Sequence, residues 1–268
     1  MLLTIDVGNT NIVIGVFRGE TLVHTWRLTT IRERTADELG ILVSDLCERH
    51  EIRQREISGI ILASVVPPLT GTLIAMATQY FGRVPLLFEP AVNGGMPILI
   101  DNPGEVGADR VANGIAAFAK YRRGFPLIVV DFGTATTFDA ISAKGDYLGG
   151  IICPGPTVSA EALFQRAAKL PRIDVRKPPR VIGTNTVAAM QSGLFWGYVD
   201  MVEGLLRRMK SELGGSATVL ATGGLASVVA PESALIEHVD QDLTLHGLRL
   251  VWERQPERSP GSEIQGRP

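Results

Sequence analysis

The feature that most constrains this chain is an internal echo. "LLTIDVGNTNIVIGVF", beginning at Leu2, returns as "LIVVDFGTATTFDAI", beginning at Leu127, at an offset of 125 residues in a chain of 268. Each copy reads as a buried strand, a polar turn and a second strand. Overlaid, Asp6 meets Asp131, Gly8 meets Gly133, and Asn9 and Asn11 meet Thr134 and Thr136. A chain that repeats its opening hairpin halfway along predicts two similar α/β lobes. Two such lobes would leave a cleft between them, and clefts between domains are favoured ligand sites.

The rest of each half extends the repeat. "TLVHTWRL" and "YLGGIICPG" each add a third strand, so both halves open as antiparallel meanders. Thr35 and Glu38 have the spacing of a capping box, ahead of a helix marked by Leu39, Leu42, Val43 and Leu46. "ISGIILASVV" reads as a buried strand ending at a turn made by Pro67 and Pro68, and "VPLLF" as a short strand. "ATVLATGGLASVV" echoes the first of these, as a strand running into a glycine turn and a helix. Apolar spacing predicts further helices over 108–123, closed by Gly124, over 186–213, and in "LTLHGLRLVWER". The expected division is a first lobe over 1–118, a second over 119–254, and a polar Pro- and Gly-containing tail over 255–268 that is expected to be disordered.

Bulk properties exclude several classes. A net charge of −2 offers no general attraction for nucleic acid. The apolar stretch 60–77 contains two prolines and makes a poor membrane span, and Asp6 interrupts any leader-like run. Cys47 and Cys153 lie far apart and read as two reduced thiols of a cytoplasmic protein. The cation-rich segment 166–180 reads as a solvated loop, and the scattered His24, His50, His238 and His246 suggest no catalytic role.

The chemistry is carried by the polar turns. A glycine at Gly8 or Gly133 permits close backbone approach, and amides in such a turn can hold phosphate oxygens with help from Asn and Thr side chains. Asp6 and Asp131 are hard oxygen ligands suited to magnesium or an alkali cation. Ordinary hairpins use the same residue types, so one turn alone would say little. Its repetition at matching positions favours a site that grips a polyphosphate. No G-x-x-x-x-G-K-[ST] loop is present, and "DFG" at Asp131 lacks the other protein-kinase motifs.

A second polar island, "DNPGEVGADRVANG", places Asp101, Glu105, Asp109 and Arg110 just before an apolar helix. Asp109 could simply cap that helix. Beside a phosphate site it could instead orient and deprotonate an alcohol, with Arg110 binding a carboxylate or the transferring phosphoryl group. Gly107 would let the backbone approach a ligand, and the glycines of "TGGLAS" would suit a loop against a nucleotide base.

Together these motifs resemble the type III pantothenate kinases of the acetate/sugar kinase, Hsp70 and actin superfamily. The resemblance spans Leu2 to about Arg254, with "DVGNTN", "DNPGEVGADR", "DFGTATTFDAI", "GGIICPG", "GTNTVAAMQSG" and "ATGG" in family order. It implies duplicated actin-like, ribonuclease H-like lobes and ATP-dependent phosphorylation of pantothenate to 4'-phosphopantothenate, the first step of coenzyme A synthesis. It also implies Mg2+, a monovalent cation (K+ or NH4+) and a cytoplasmic homodimer. By position, Asp6, Val7, Gly8, Asn9, Thr10, Asn11, Thr134, Gly223 and Gly224 resemble the ATP site. Gly107, Ala108, Asp109, Arg110 and Thr186 resemble the pantothenate site, with Asp109 as the base. Asp131 resembles the monovalent-cation ligand, and Asp6 faces the metal of ATP. Ile100 stands where many members have a pocket tyrosine. Two alternatives share the fold: a kinase of another small alcohol, and a nucleotide-binding regulator without catalysis.

Overall fold

The computed structural model describes residues 1–255. The first half contains β1 (Leu2–Val7), β2 (Asn11–Arg18), β3 (Thr21–Thr29), α1 (Ala36–Arg49), β4 (Gly59–Ser64), α2 (Pro67–Phe81), β5 (Leu86–Leu87) and α3 (Pro90–Asn93). Next come α4 (Ala108–Tyr121), β6 (Leu127–Phe132), β7 (Ala135–Ile141), β8 (Tyr147–Pro154), α5 (Pro156–Arg166) and α6 (Thr186–Glu212). The last elements are β9 (Thr218–Thr222), α7 (Ala226–Val229), β10 (His238–Val239) and α8 (Leu243–Glu253).

The duplication is visible in the topology. One sheet has the order β3-β2-β1-β4-β5, and the other, read from β8, has β8-β7-β6-β9-β10. In each, an antiparallel meander is joined by a parallel strand laid against its first member. Two compact units result. One comprises Met1–Met96, Asn102–Ala116 and the described residues from Thr244 on; the other comprises Pro97–Asp101 and Ala117–Leu243. In the first, the alternating apolar residues of β1, β2 and β4 meet Leu39, Val43 and Cys47 of α1 and Leu69, Leu73 and Met76 of α2. In the second, Ile128, Val130, Phe132 and Phe138 pack on Phe195, Tyr198, Val202 and Leu206 of α6. The capping box is present: Thr35 accepts from the Glu38 N–H, and Glu38 accepts from the Thr35 N–H.

Three expectations change. Pro67 and Pro68 do not make a turn. They occupy the first helical positions of α2, where a missing N–H costs nothing and a fixed φ favours the helix. Pro156 opens α5 in the same way, a helix that the apolar spacing does not predict.

The overlay of the two polar turns also slips by one residue. Gly8 N–H donates to the Asn11 carbonyl, and Gly133 N–H donates to the Ala135 carbonyl. Thr30 N–H closes the first turn on the Thr10 carbonyl, and Gly155 N–H closes the second on the Thr134 carbonyl. Thr134 is therefore the counterpart of Thr10, and Ala135 that of Asn11. Asn9 is an extra residue with no partner position, and Thr136 answers to Ile12.

The segment 166–180 is largely exposed, as expected, but two of its cations are fixed. Arg172 pairs with Glu161 and lies over Phe164, and Lys177 pairs with Glu232 and lies over Trp196. Of the expected tail, Gln255 is held by hydrogen bonds to the Asn93 and Val251 carbonyls. The remainder of that expectation lies outside the described residues.

Candidate active site

Both polar turns sit where a buried strand surfaces. Asp6 and Asp131 are half-buried, and each precedes a buried residue, Val7 or Phe132. Beyond these, Asn9 and Thr10 in one lobe and Thr134 in the other are exposed, while Gly8 and Asn11 are half-buried. The strands dictate this: each turn is the short link of an antiparallel hairpin whose strands fill the core. The first turn has a clamp that sequence reasoning missed. Thr30, just past β3, donates its hydroxyl to the Gly8 carbonyl at 2.7 Å, in addition to its backbone bond to Thr10. Nothing local marks Thr30, because its partners lie some twenty residues earlier in the chain.

In the second unit the turn, Asp131 and the end of β9 come together. Gly223 has φ of +88°. A Cβ there would strike the Asp131 carboxylate and would lie 2.7 Å from the Phe132 nitrogen. Glycine is required on both counts. The space beside Gly223 is thus occupied by Asp131 and β6, whereas Gly224 is the exposed member of the pair.

The second island forms the start of α4. Gly107 accepts the first intrahelical bond from Val111 N–H at 3.3 Å, so Asp109 lies inside the first turn and not at the cap. Its carboxylate folds back to accept the Arg110 N–H at 2.9 Å. A side chain at Gly107 would meet Asp109 Oδ1 at 2.5 Å, so glycine makes room for that carboxylate. Ala108 is buried, and Asp109 and Arg110 are half-buried. Burial pushes the Asp109 carboxyl above the usual carboxylate range, although the Arg110 N–H and the Arg110 charge pull it down. A carboxylate with raised proton affinity at a helix start is a competent general base.

Thr186 is the exposed first residue of α6, after Asn185 caps the helix by accepting from Ala188 N–H at 2.9 Å. Ile100 is half-buried and packs toward Gly149 in the second unit. Among the described residues no group of three His, Cys, Asp or Glu side chains is arranged to hold a metal ion.

Known proteins bear on this geometry. A family model described as type III pantothenate kinase matches residues 2–208. The type III pantothenate kinase of Moorella thermoacetica is 55% identical over 254 residues, covering 95% of this chain and 99% of the relative. That of Myxococcus xanthus is 54% identical, covering 95% and 98%. In fold, the chain is similar to the inorganic polyphosphate/ATP-glucomannokinase of an Arthrobacter species, with a TM-score of 0.51 at 18% identity, covering 93% and 96%. The duplicated sheets are thus those of a sugar-kinase-like fold, and the chain belongs to the type III pantothenate kinase family.

Proposed function

We propose that this chain transfers the γ-phosphoryl group of ATP to the terminal hydroxyl of pantothenate, giving 4'-phosphopantothenate for coenzyme A synthesis. The observation that carries the reading is family membership across nearly the whole chain. The raised carboxyl of Asp109, poised at the start of α4, agrees with it. In this reading Asn9, Thr10, Asn11 and Thr134 take the phosphates, and Gly224 lies toward the adenosine. Asp6 faces a magnesium ion that arrives with the nucleotide. Asp109 holds and deprotonates the hydroxyl, Arg110 pairs with an anionic group of the acceptor or the moving phosphoryl, and Thr186 lines the acceptor site. That magnesium and a monovalent cation held by Asp131 offset phosphate charge, so attack depends on positioning and electrostatics.

A second copy of the chain is the expected partner. Ile152, Val158, Phe164, Ile182 and Val187 of the second unit are exposed apolar residues of the kind that interfaces cover. Light scattering is expected to give a dimer mass, and a monomer at micromolar concentration would remove this part of the reading. The two free cysteines suit the reducing cytoplasm, and among the described residues no helix is long and apolar enough to cross a membrane.

The direct test is ADP release with pantothenate, magnesium and potassium. Turnover that requires pantothenate is expected. Turnover with a different small alcohol but none with pantothenate would replace the proposed acceptor, and nucleotide binding without any turnover would favour a regulator.

A further inference from the structure

The two lobes repeat an aspartate at one topological position, but the neighbours of that aspartate differ. Residues in register on adjacent strands project to the same face, with Cβ atoms about 5 Å apart. Asp131 on β6 is in register with Thr137 on β7 and with Thr222 on β9. One face of the second sheet thus carries the row Thr137, Asp131, Thr222: a carboxylate between two hydroxyls. Asp6 on β1 is in register with Val13 on β2 and Ala63 on β4. The first lobe has the carboxylate and neither hydroxyl.

The Thr137 hydroxyl is further constrained. It donates to Asp139 Oδ2 at 3.2 Å, and the buried Tyr147 hydroxyl donates to Asp139 Oδ1 at 2.6 Å. Asp139 is fully buried. A hydroxyl has one hydrogen and two lone pairs, so committing the hydrogen to Asp139 turns the lone pairs of Thr137 elsewhere. The row is acceptor-rich, with its one carboxylate at Asp131 and no nitrogen or sulfur; the nearby carboxylate, Asp139, accepts from the Thr137 and Tyr147 hydroxyls behind the row. Such a set matches a weakly hydrated monovalent cation, whose shell hydroxyl and carbonyl oxygens replace easily. A divalent ion takes more carboxylates or keeps its water.

We propose that Thr137 and Thr222 flank Asp131 as further ligands of the monovalent cation, with Asp139 and Tyr147 as positioning residues behind Thr137. The same contrast between lobes explains why Asp6, between valine and alanine, does not form a second such site. The proposal rests on Asp131 being the cation ligand, and its test separates the two ideas.

The readout is the rise in melting temperature of the whole protein, without substrates, when choline chloride is replaced by potassium chloride at equal ionic strength. The second readout is the potassium concentration giving half-maximal turnover. Wild type should gain stability from potassium. Thr137→Val and Thr222→Val should lose most of that gain and raise half-saturating potassium by about 10- to 100-fold. Thr137→Ser and Thr222→Ser, which restore the oxygen, should recover both. Tyr147→Phe, which leaves Asp139 without one donor, should give an intermediate shift. Where a valine variant does not fold, the cysteine replacement substitutes for it, because its soft sulfur keeps the size and loses the hard ligand. If Asp131→Asn loses the potassium response while the valine or cysteine variants keep it, the threonines are not ligands and the proposal is overturned. If Asp131→Asn also keeps the response, or wild type shows none, the assignment of Asp131 fails first and the proposal with it.

Discussion

Replacing Asp109 by Asn is expected to lower kcat by about 10²- to 10⁴-fold, the range that a positioned general base contributes. The loss should fall on kcat more than on ATP binding, because the interaction matters most in the transition state. Asn keeps the oxygen that accepts the Arg110 N–H, so the start of α4 should survive. Stability should move the other way. Burial raises the Asp109 carboxyl, so the folded state favours the protonated form more than the unfolded chain does. Between the ordinary carboxyl pKa and the raised one, the folded state binds more protons, and this group's contribution to stability declines as pH rises. At neutral pH the ionised carboxylate is therefore a cost that Asn removes, and the variant should melt no lower than wild type. The same shift sets the pH profile: activity should fall with acid along a limb placed above the ordinary carboxylate range. A variant with near-normal kcat, or a wild-type limb at an ordinary aspartate value, would remove Asp109 from the chemistry.

Gly223→Ala is expected to be strongly damaging, because a backbone clash and a positive φ act together there. The added carbon would strike the Asp131 carboxylate and lie 2.7 and 2.8 Å from the backbone nitrogen and carbonyl carbon of Phe132. The carboxylate could swing aside, but β6 cannot, being bonded to β7 on one side and β9 on the other. The φ of +88° adds strain of about 1–3 kcal/mol for a residue with a side chain. Each kcal/mol lowers the melting temperature of a domain of 150–250 residues by about 2–4 °C. Activity should fall further than stability, because any relief displaces Asp131 or the turn after it. The internal control is Gly204→Ala in α6, where an added carbon meets nothing within 4 Å. There alanine should stabilise by about 0.5–1 kcal/mol through helix propensity alone. Equal melting temperatures for the two variants would contradict the packing described around Gly223.

Much of this was legible in the sequence because the repeat is periodic and local. The strand–turn–strand at Asp6 and its copy at Asp131 pointed to both sheets, and the motifs around Asp109 marked the residue proposed as the base. What escaped was set by the partner strand or by position in a helix. Pro67 read as a turn, yet it starts a helix, as does the unremarked Pro156, and only the residues of the next turns decide between stop and start. The one-residue slip between the turns is invisible to a sequence overlay, because the strands before the turns align and only the ladder shows where they realign afterwards. Thr137 and Thr222 stand six and ninety-one residues from Asp131, and although both lie in quoted motifs, nothing in those motifs marks them as its neighbours. Sheet register makes them its neighbours.

The unit that holds β1 also holds α8, the last described helix. Gly59 of β4 lies under Trp252, Gly247 sits on the Ala112 backbone of α4, and Leu245 reaches Gly15 of β2, so α8 is part of the first lobe's packing. During synthesis β1 to β5 emerge early, but α8 is made only after the continuous stretch of the second lobe, Ala117–Leu243, has been translated. The lobe that is born first is finished second. Until α8 arrives it exposes the surface that Trp252 and Leu245 will cover, a window in which a nascent chain is open to misassociation.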